Sequence, residues 1–251
     1  MMPAGFDVRW HASLPSTMDA AAALAHEGAP HGVVVAAEQQ TAGRGRRGTT
    51  WESPPGAGLY FSLIARSAQA PGPKPQALSL ITLAAGVGVR DGVMAATGLA
   101  PDLKWPNDLL INRRKLAGIL AEGLAIGTPK QAVIIGVGLN VQPAAYPPDV
   151  SRRATSLEGE LGRPVDRDAL LSAVLTGLGD RLARLERSPG DILQAWRAAS
   201  PCATGTRVEW DGRSGVTAGI DENGALLIKT ATGIERVIAG ELHWHLAPLA
   251  P

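Results

Sequence analysis

The sequence predicts an α/β (α+β) fold in two parts. A mixed sheet with packed helices spans residues 1–200, and a small β-barrel spans residues 201–251. As far as Ser200-Pro201, β-branched and apolar runs alternate with segments of helical period, the pattern of a sheet covered by helices. Beyond that proline the chain changes to short alternating segments with Asp-Gly and Asn-Gly turns, a signature of hairpins. The 251 residues, 45% hydrophobic and 19% charged, are enough for a full core and a second small unit and too apolar for disorder.

Asp7 to His11 reads as a short strand. Ser16 or Thr17 caps a helix through about Glu27, which Gly28 and Pro30 end. Gly32 to Ala37 carries Val33-Val34-Val35 and reads as a buried strand. Glu38 to Ser53 has no apolar period; its glycines and arginines make it a long loop, and loops of that length are usually functional. Leu59 to Ala65 is a strand, and Gln76 to about Ala96 a long helix on the sheet. Asp102 to Asn112 and Lys115 to Leu124 form a hairpin turned at Asn112-Arg113-Arg114. Gln131 to Val141 is another strand. Leu170, Leu171, Val174, Leu175, Leu178, Leu182 and Leu185 recur on one helical face that ends near Arg187. A shorter helix follows Pro189 and carries Trp196. Arg207 to Trp210, Val216 to Ile220, Ala225 to Lys229, Glu235 to Ile238 and Leu242 to Leu246 are the strands of the small domain, which the pattern makes SH3-like.

The formal net charge of +1 gives the chain no general affinity for nucleic acid. Cys202 is the only cysteine, which excludes an intramolecular disulfide and a cysteine zinc cage and suits a reducing cytoplasm. Met1 to His11 lacks the flank and apolar run of an export signal. The apolar stretch around Leu78 to Val89, broken by Ser79, Thr82 and two glycines, falls short of the ~20 residues that span a bilayer. A soluble cytoplasmic protein without a membrane partner is expected.

Three segments carry the chemistry. Gly43-Arg44-Gly45-Arg46-Arg47-Gly48 combines glycines, which let backbone N–H groups approach an anion, with guanidinium forks that suit carboxylate or phosphate oxygens. Taken alone it is equally a solvated basic loop or a weak single-stranded nucleic-acid contact. Lys104-Trp105-Pro106-Asn107-Asp108 and Lys115-Leu116-Ala117-Gly118-Ile119-Leu120 each set a lysine in an apolar surround. Lys104 faces a nucleotide or pairs with Asp108 or Glu122. Gly136-Val137-Gly138-Leu139-Asn140-Val141 ends a strand; glycines there also simply admit a helix. The histidines lack metal spacing, His243 and His245 flanking Trp244 toward solvent, and no Ser-His-Asp set stands out.

In wording and order these segments closely resemble the biotin protein ligases. Over nearly the whole chain the resemblance implies a class II synthetase-like catalytic domain, residues 1–200, and an SH3-like C-terminal domain, residues 201–251. The implied reaction has two steps: the biotin carboxylate attacks the α-phosphorus of ATP with Mg²⁺, and a lysine of a biotin carboxyl carrier domain of an acyl-CoA carboxylase takes the acyl group from biotinyl-5′-AMP. Lys115 is then the essential lysine, with Arg46 beside it in catalysis. Biotin falls to Ser16, Thr17, Gln40, Gly43, Arg44, Gly45, Arg46, Lys115 and Gly118. The nucleotide falls to Arg46, Arg47, Trp51, Asn107, Lys115 and Asn140, with Trp51 stacking on adenine once the loop orders; its plain alternative is a core aromatic. Asp108 is a possible Mg²⁺ neighbour, the metal ligands otherwise being unknown. The pattern Ser-Thr-Asn is met by Ser16-Thr17 but departed from at Met18. Family members occur as monomers and homodimers. A lipoate ligase shares the fold but differs in the glycine–arginine loop, and a non-catalytic nucleic-acid-binding protein leaves both lysine motifs unexplained. A repressor needs a helix-turn-helix before Ser16, where about fifteen residues stand, so specific DNA binding is not expected.

Overall fold

The structure, a computed structural model, describes residues 2–66, 77–144, 146–240 and 242–245. Seven strands form one mixed sheet: β1 (Asp7–His11), β2 (Val33–Ala37), β3 (Gly58–Ala65), β4 (Asp102–Lys104), β5 (Asp108–Ile111), β6 (Arg114–Leu124) and β7 (Ala132–Asn140), in the order β1-β2-β3-β7-β6-β5-β4. β1 and β2 run parallel and every other pair antiparallel. Helix α1 (Thr17–His26) is the crossover between the parallel pair, as such a pair requires. Helices α2 (Ala77–Thr97), α5 (Arg167–Arg187) and α6 (Pro189–Ala198) follow the expected apolar periods, and two short helices, α3 (Pro148–Ser151) and α4 (Leu157–Leu161), lie in a stretch for which the sequence predicted no element.

Successive side chains of a strand point to opposite faces, and here they sort into two apolar layers. Val34, Leu59, Phe61, Leu63, Ile119, Val133, Ile135, Val137 and Leu139 join the large core with α2 and α5. Val33, Val35, Ile64, Ala132 and Ile134 join a smaller core beneath α1 with Met18, Ala21 and Ala25. The α1 face therefore also carries Tyr60 and Ser62 of β3, Gly118, Leu120 and Glu122 of β6, and Gly136, Gly138 and Asn140 of β7. α1 covers only part of this face: Met18 packs on Gly136, whereas Gly118 and Gly138 lie under Trp51.

On the other face α2 and α5 cross at backbone contact. A Cβ on Gly92 would lie 2.4 Å from Val174 Cα, and one on Gly177 would lie 2.3 Å from Gly88 O. The stretch Ser79–Thr97, 19 residues, has the length and apolarity to cross a membrane, which corrects the shorter count above. Its place between sheet and α5, with Leu83, Ala85, Val87, Val89 and Val93 in the large core, makes it the central core helix.

The segment from Asp102 to Asn112, expected as part of a hairpin with a bend at Trp105-Pro106, is two strands. The chain turns at Trp105-Pro106, where proline fixes φ and removes a ladder donor, and β4 pairs back on β5 with Lys104 opposite Asp108. The start of the long helix at Gln76 and the end of the last strand at Leu246 lie outside the described residues. The C-terminal part is a five-stranded antiparallel sheet of β8 (Thr204–Trp210), β9 (Arg213–Ile220), β10 (Leu226–Thr230), β11 (Gly233–Val237) and β12 (His243–His245), in the order β11-β10-β9-β8-β12. Its Val208, Trp210, Ile220, Leu226 and Ile228 continue the large core. Trp105 Nε1 donates to Gly224 O at 3.0 Å and Arg197 Nη2 to Ile220 O at 2.9 Å, so the two sheets are bonded as well as packed.

Candidate active site

The uncovered sheet face begins at the N-terminus of α1, where helix N–H groups lack intrahelical partners. The Thr17 N–H donates to Gln40 Oε1 at 2.8 Å, and Thr17 Oγ1 donates to the same oxygen at 3.1 Å. Thr17 Oγ1 also shares a 2.8 Å hydrogen bond with Ser62 Oγ, and Gln40 Nε2 donates to Ser53 Oγ at 2.9 Å. Gln40 is thereby fixed as a polar wall beside the helix end. Ser16 Oγ is buried there without a partner, and an unpaired buried hydroxyl is costly; a polar ligand head fits beside it. Met18 turns away, packing on Gly136 in the core beneath α1, so the departure from Ser-Thr-Asn removes no side chain from this wall.

Gly118 and Gly138 pair directly across β6 and β7, and the Trp51 indole lies on both. A Cβ on Gly138 would meet Trp51 Cε2 at 2.3 Å, and one on Gly118 would meet Trp51 Cζ3 at 2.9 Å and Lys115 Nζ at 3.3 Å. The glycines make a flat floor for a ring. Trp51 Nε1 is buried with no acceptor, which places a free donor at that floor. Lys115 Nζ stands 5.2 Å from the centroid of the Trp51 ring and 2.6 Å from Asp108 Oδ1. Lys104 Nζ approaches the other oxygen of Asp108 at 4.0 Å and lies 5.7 Å from the Trp244 ring of β12. Of the partners expected for Lys104, Asp108 is the one found. Burial pushes the Lys104 ammonium below its ordinary value; Asp108 opposes that shift and Lys115 adds to it. Two lysines therefore share one carboxylate.

The glycine–arginine loop is a small hairpin. Trp51 N donates to Gly43 O at 2.9 Å and Gly45 N to Thr49 O at 2.7 Å, with a single helical turn over Arg46–Gly48 between them. A Cβ on Gly43 would strike Trp51 O at 2.4 Å, and one on Gly45 would strike Thr49 Oγ1 at 2.4 Å, which explains glycine at both. Arg46 Nη1 points inward and donates to Asn107 Oδ1 at 3.4 Å, while Asn107 Nδ2 donates to Ile119 O at 2.7 Å. Arg44, expected among the biotin contacts, forks its guanidinium onto Asp19 and Glu122. Arg47, at φ 54°, faces the β8–β9 hairpin across a cleft of about 480 Å³ with Glu209, Arg213 and His243. The inner wall of the loop borders a cleft of about 320 Å³ with Leu120 and Glu122.

Asn140, expected among the nucleotide contacts, lies at the end of β7. It is buried, donates to Thr155 O at 3.0 Å and Lys115 O at 3.4 Å, and accepts from Tyr146 Oη at 3.2 Å. Lys115 N donates to Arg153 O at 2.7 Å and Thr155 N to Lys115 O at 2.9 Å. The backbone of Lys115 is thus gripped by the segment before α4 and by Asn140. Ser53, Ser62, Asp19 and Thr155 escaped the sequence reading; the alternation of β3 could have placed Ser62 on this face. Among the described residues no three His, Cys, Asp or Glu side chains gather as a metal site, and Asp108 is already neutralised by lysines.

A glycine floor with an aromatic cover, two lysines and an inward arginine suits an enzyme that brings a carboxylate and a nucleotide phosphate together. Comparison with known proteins gives that class a family. The profile of the Biotin/lipoate A/B protein ligase family matches residues 10–140, and that of the Biotin protein ligase C terminal domain matches residues 214–242. The chain is 35% identical over 240 residues to the Bifunctional ligase/repressor BirA of Bacillus subtilis, covering 93% of this chain and 72% of that one. It is 36% identical over 218 residues to the Biotin--[acetyl-CoA-carboxylase] ligase of Mycobacterium tuberculosis, covering 84% and 78%. The biotin protein ligase from Aquifex aeolicus, solved in complex with biotin and ATP, superposes with a TM-score of 0.81 at 27% identity, covering 96% of this chain and 99% of that one. The chain belongs to the biotin protein ligase family and is an ATP-dependent ligase.

Proposed function

We propose that the chain joins biotin to AMP beside the Trp51 ring that rests on Gly118 and Gly138 and then transfers the acyl group to a lysine of a biotin carboxyl carrier domain of an acyl-CoA carboxylase. The observation that carries this is the Lys115 ammonium, 2.6 Å from Asp108 Oδ1 and beside the Trp51 ring. A carboxylate and an α-phosphate repel each other until a cation lies between them. Lys115 supplies that charge, and Arg46 adds a second from the loop; preorganised charge of this kind is the main lever on such a barrier. Asp108 holds Lys115 in place before the ligands arrive, with Lys104 sharing the same carboxylate.

Thr17, Gln40 and Ser16 take the polar head of biotin, and Trp51 with Asn107 takes the nucleotide. Positioning does the rest, since biotin supplies the nucleophilic oxygen and the carrier amine the second nucleophile. In the first step a biotin oxygen bonds to the α-phosphorus and pyrophosphate leaves. In the second the amine bonds to the acyl carbon, AMP leaves and the amine proton passes to solvent. The loop keeps water from the mixed anhydride in between. With net charge +1 and a single free cysteine, we assign the protein to the cytoplasm and give it no DNA or membrane partner.

The test is ATP–pyrophosphate exchange. Exchange that depends on biotin, fails with lipoate and is followed by labelling of a carrier domain supports the reading. Exchange driven by lipoate, or none with either acid, refutes it.

A further inference from the structure

The loop that covers the site is tied down by residues outside the ligand floor. Arg44 Nη1 lies 2.7 Å from Asp19 Oδ1 in the first turn of α1, and Arg44 Nη2 lies 2.5 Å from Glu122 Oε1 on β6. Asp19 and Glu122 come from separate elements on either side of the loop, and Glu122 also borders the inner cleft. One guanidinium therefore spans from α1 to β6. Arg46 reaches Asn107 on the far side, whereas the bonds of Gly43 to Trp51 and Gly45 to Thr49 lie within the hairpin. Burial works against the Arg44 charge, but the hydrogen bonds and charges of Glu122 and Asp19 outweigh it and raise its pKa.

We propose that Asp19 and Glu122 are positioning residues that act through Arg44 to latch the Gly43–Thr50 hairpin over the site and so set how long the reactive acyl-adenylate is retained. The retention half of this rests on the function proposed above. A lone exposed ion pair does little. A planar guanidinium forked onto two carboxylates makes both bonds with one ordered side chain, at a geometry lysine cannot match. Asp19 also gains from the first turn of a helix, where negative charge is favoured. Neither carboxylate touches the floor of Gly118 and Gly138, so removing them changes the cover and leaves the chemistry in place.

The experiment uses the full chain without ligands first. Trypsin cleavage after Arg47 is timed in the wild type, in Asp19→Asn/Glu122→Gln, in Arg44→Met, and in all three substitutions combined, with a thermal melt of each. The double variant is expected to be cut about tenfold faster, an opening shift of about 1.4 kcal/mol, with its melting temperature little changed. In the Arg44→Met background the same two substitutions should add almost nothing, a result that a general weakening of α1 or β6 would not produce. High salt should narrow the gap, because the pairs are half exposed. Dissociation of biotinyl-adenylate should then quicken by a similar factor while its formation holds steady. Equal cleavage of wild type and double variant, or an equal increase in the Arg44→Met background, overturns the latch. Loss of biotin-dependent exchange with the cleavage pattern intact would instead sink the proposed function and leave the latch standing.

Discussion

Lys115 and Asp108 face each other across the β5–β6 bulge with Nζ and Oδ1 2.6 Å apart. Asp108 stands opposite Gly118 on the neighbouring strand, so the ion pair sits at the rim of the glycine floor. The second lysine, Lys104, competes for the same carboxylate from β4. Two positive charges and one negative leave the rim with net positive charge, the sign that an entering carboxylate and phosphate need. Lys104 rests against Trp244 and Trp105 bonds to Gly224, so the C-terminal sheet helps hold the segment that aims these charges.

Replacing Lys115 by methionine keeps the length of the chain and removes the charge. Its side chain is 36% exposed, so folding should barely change. An interaction made mainly in the transition state is worth ~3 kcal/mol, about a hundredfold in rate. Biotin-dependent pyrophosphate exchange should fall by that factor while the thermal melt stays near wild type. Near-normal exchange would remove Lys115 from the chemistry.

Gly138→Ala tests the floor. The new methyl would lie 2.3 Å from Trp51 Cε2 and 2.4 Å from its Nε1, too close for any Cβ, so the indole must leave its seat. The KM for ATP should rise about tenfold or more, and Trp51→Ala should do the same, while biotin binding measured without ATP changes less. An unchanged KM for ATP in both variants would return Trp51 to the role of an ordinary packing aromatic.

Asp221 links acid stability to the turn that receives Trp105. Its Oδ1 accepts from the N–H groups of Asn223 and Ala225, both at 2.9 Å, and its Oδ2 accepts from Arg236 Nε at 2.6 Å. Burial alone would raise its pKa, but the bonds from Ala225, Arg236 and Asn223 outweigh burial and lower it. A carboxyl with a depressed folded pKa stabilises the fold above its unfolded value near ~3.9, and that contribution disappears as pH falls through the folded value. Asp221→Asn should therefore cost about 2 kcal/mol at pH 7 and progressively less below about pH 4. Denaturant melts at pH 7 and pH 3 check this; a deficit that stays constant or grows in acid contradicts it.

Much of this site was legible because it is built on periodicity. Alternation along β7 puts Gly136, Gly138 and Asn140 on one face once Val133, Ile135 and Val137 are assigned to the core, and the same rule on β6 adds Gly118 and Glu122. What escaped depends on contacts far apart in the chain. Arg44 reads as a ligand arginine by its motif, yet its partners stand 25 and 78 residues away, and no local pattern announces them. Asn140 reads as a base contact by its motif, and its hydrogen bonds to Lys115, Thr155 and Tyr146 link segments that no local pattern brings together. The broken strand at Trp105-Pro106 was half visible, since proline signals a turn but not that β4 folds back on β5.

Arg46 is the inward anchor of the loop, and its loss should free the intermediate. Its Nη1 reaches Asn107 Oδ1 at 3.4 Å, and burial pushes its guanidinium below the ordinary value while Asp108 counters that shift and Arg47 adds to it. The half-buried charge is thus poised for an anion. Arg46→Gly removes the charged fork and adds backbone freedom beside Gly45, and both changes favour the open loop. A loss of ~2–3 kcal/mol would weaken adenylate retention roughly fiftyfold to a hundredfold. Adenylate should still form, because Lys115 remains beside Asp108. The freed anhydride should then biotinylate lysines of an added bystander protein that the wild type ignores. This differs from loss of the Arg44 latch in degree, because Arg46 both closes the loop and faces the ligand. An unchanged adenylate off-rate with no bystander labelling would make Arg46 a surface charge, and retention would then fall to Arg44 with Asp19 and Glu122 alone.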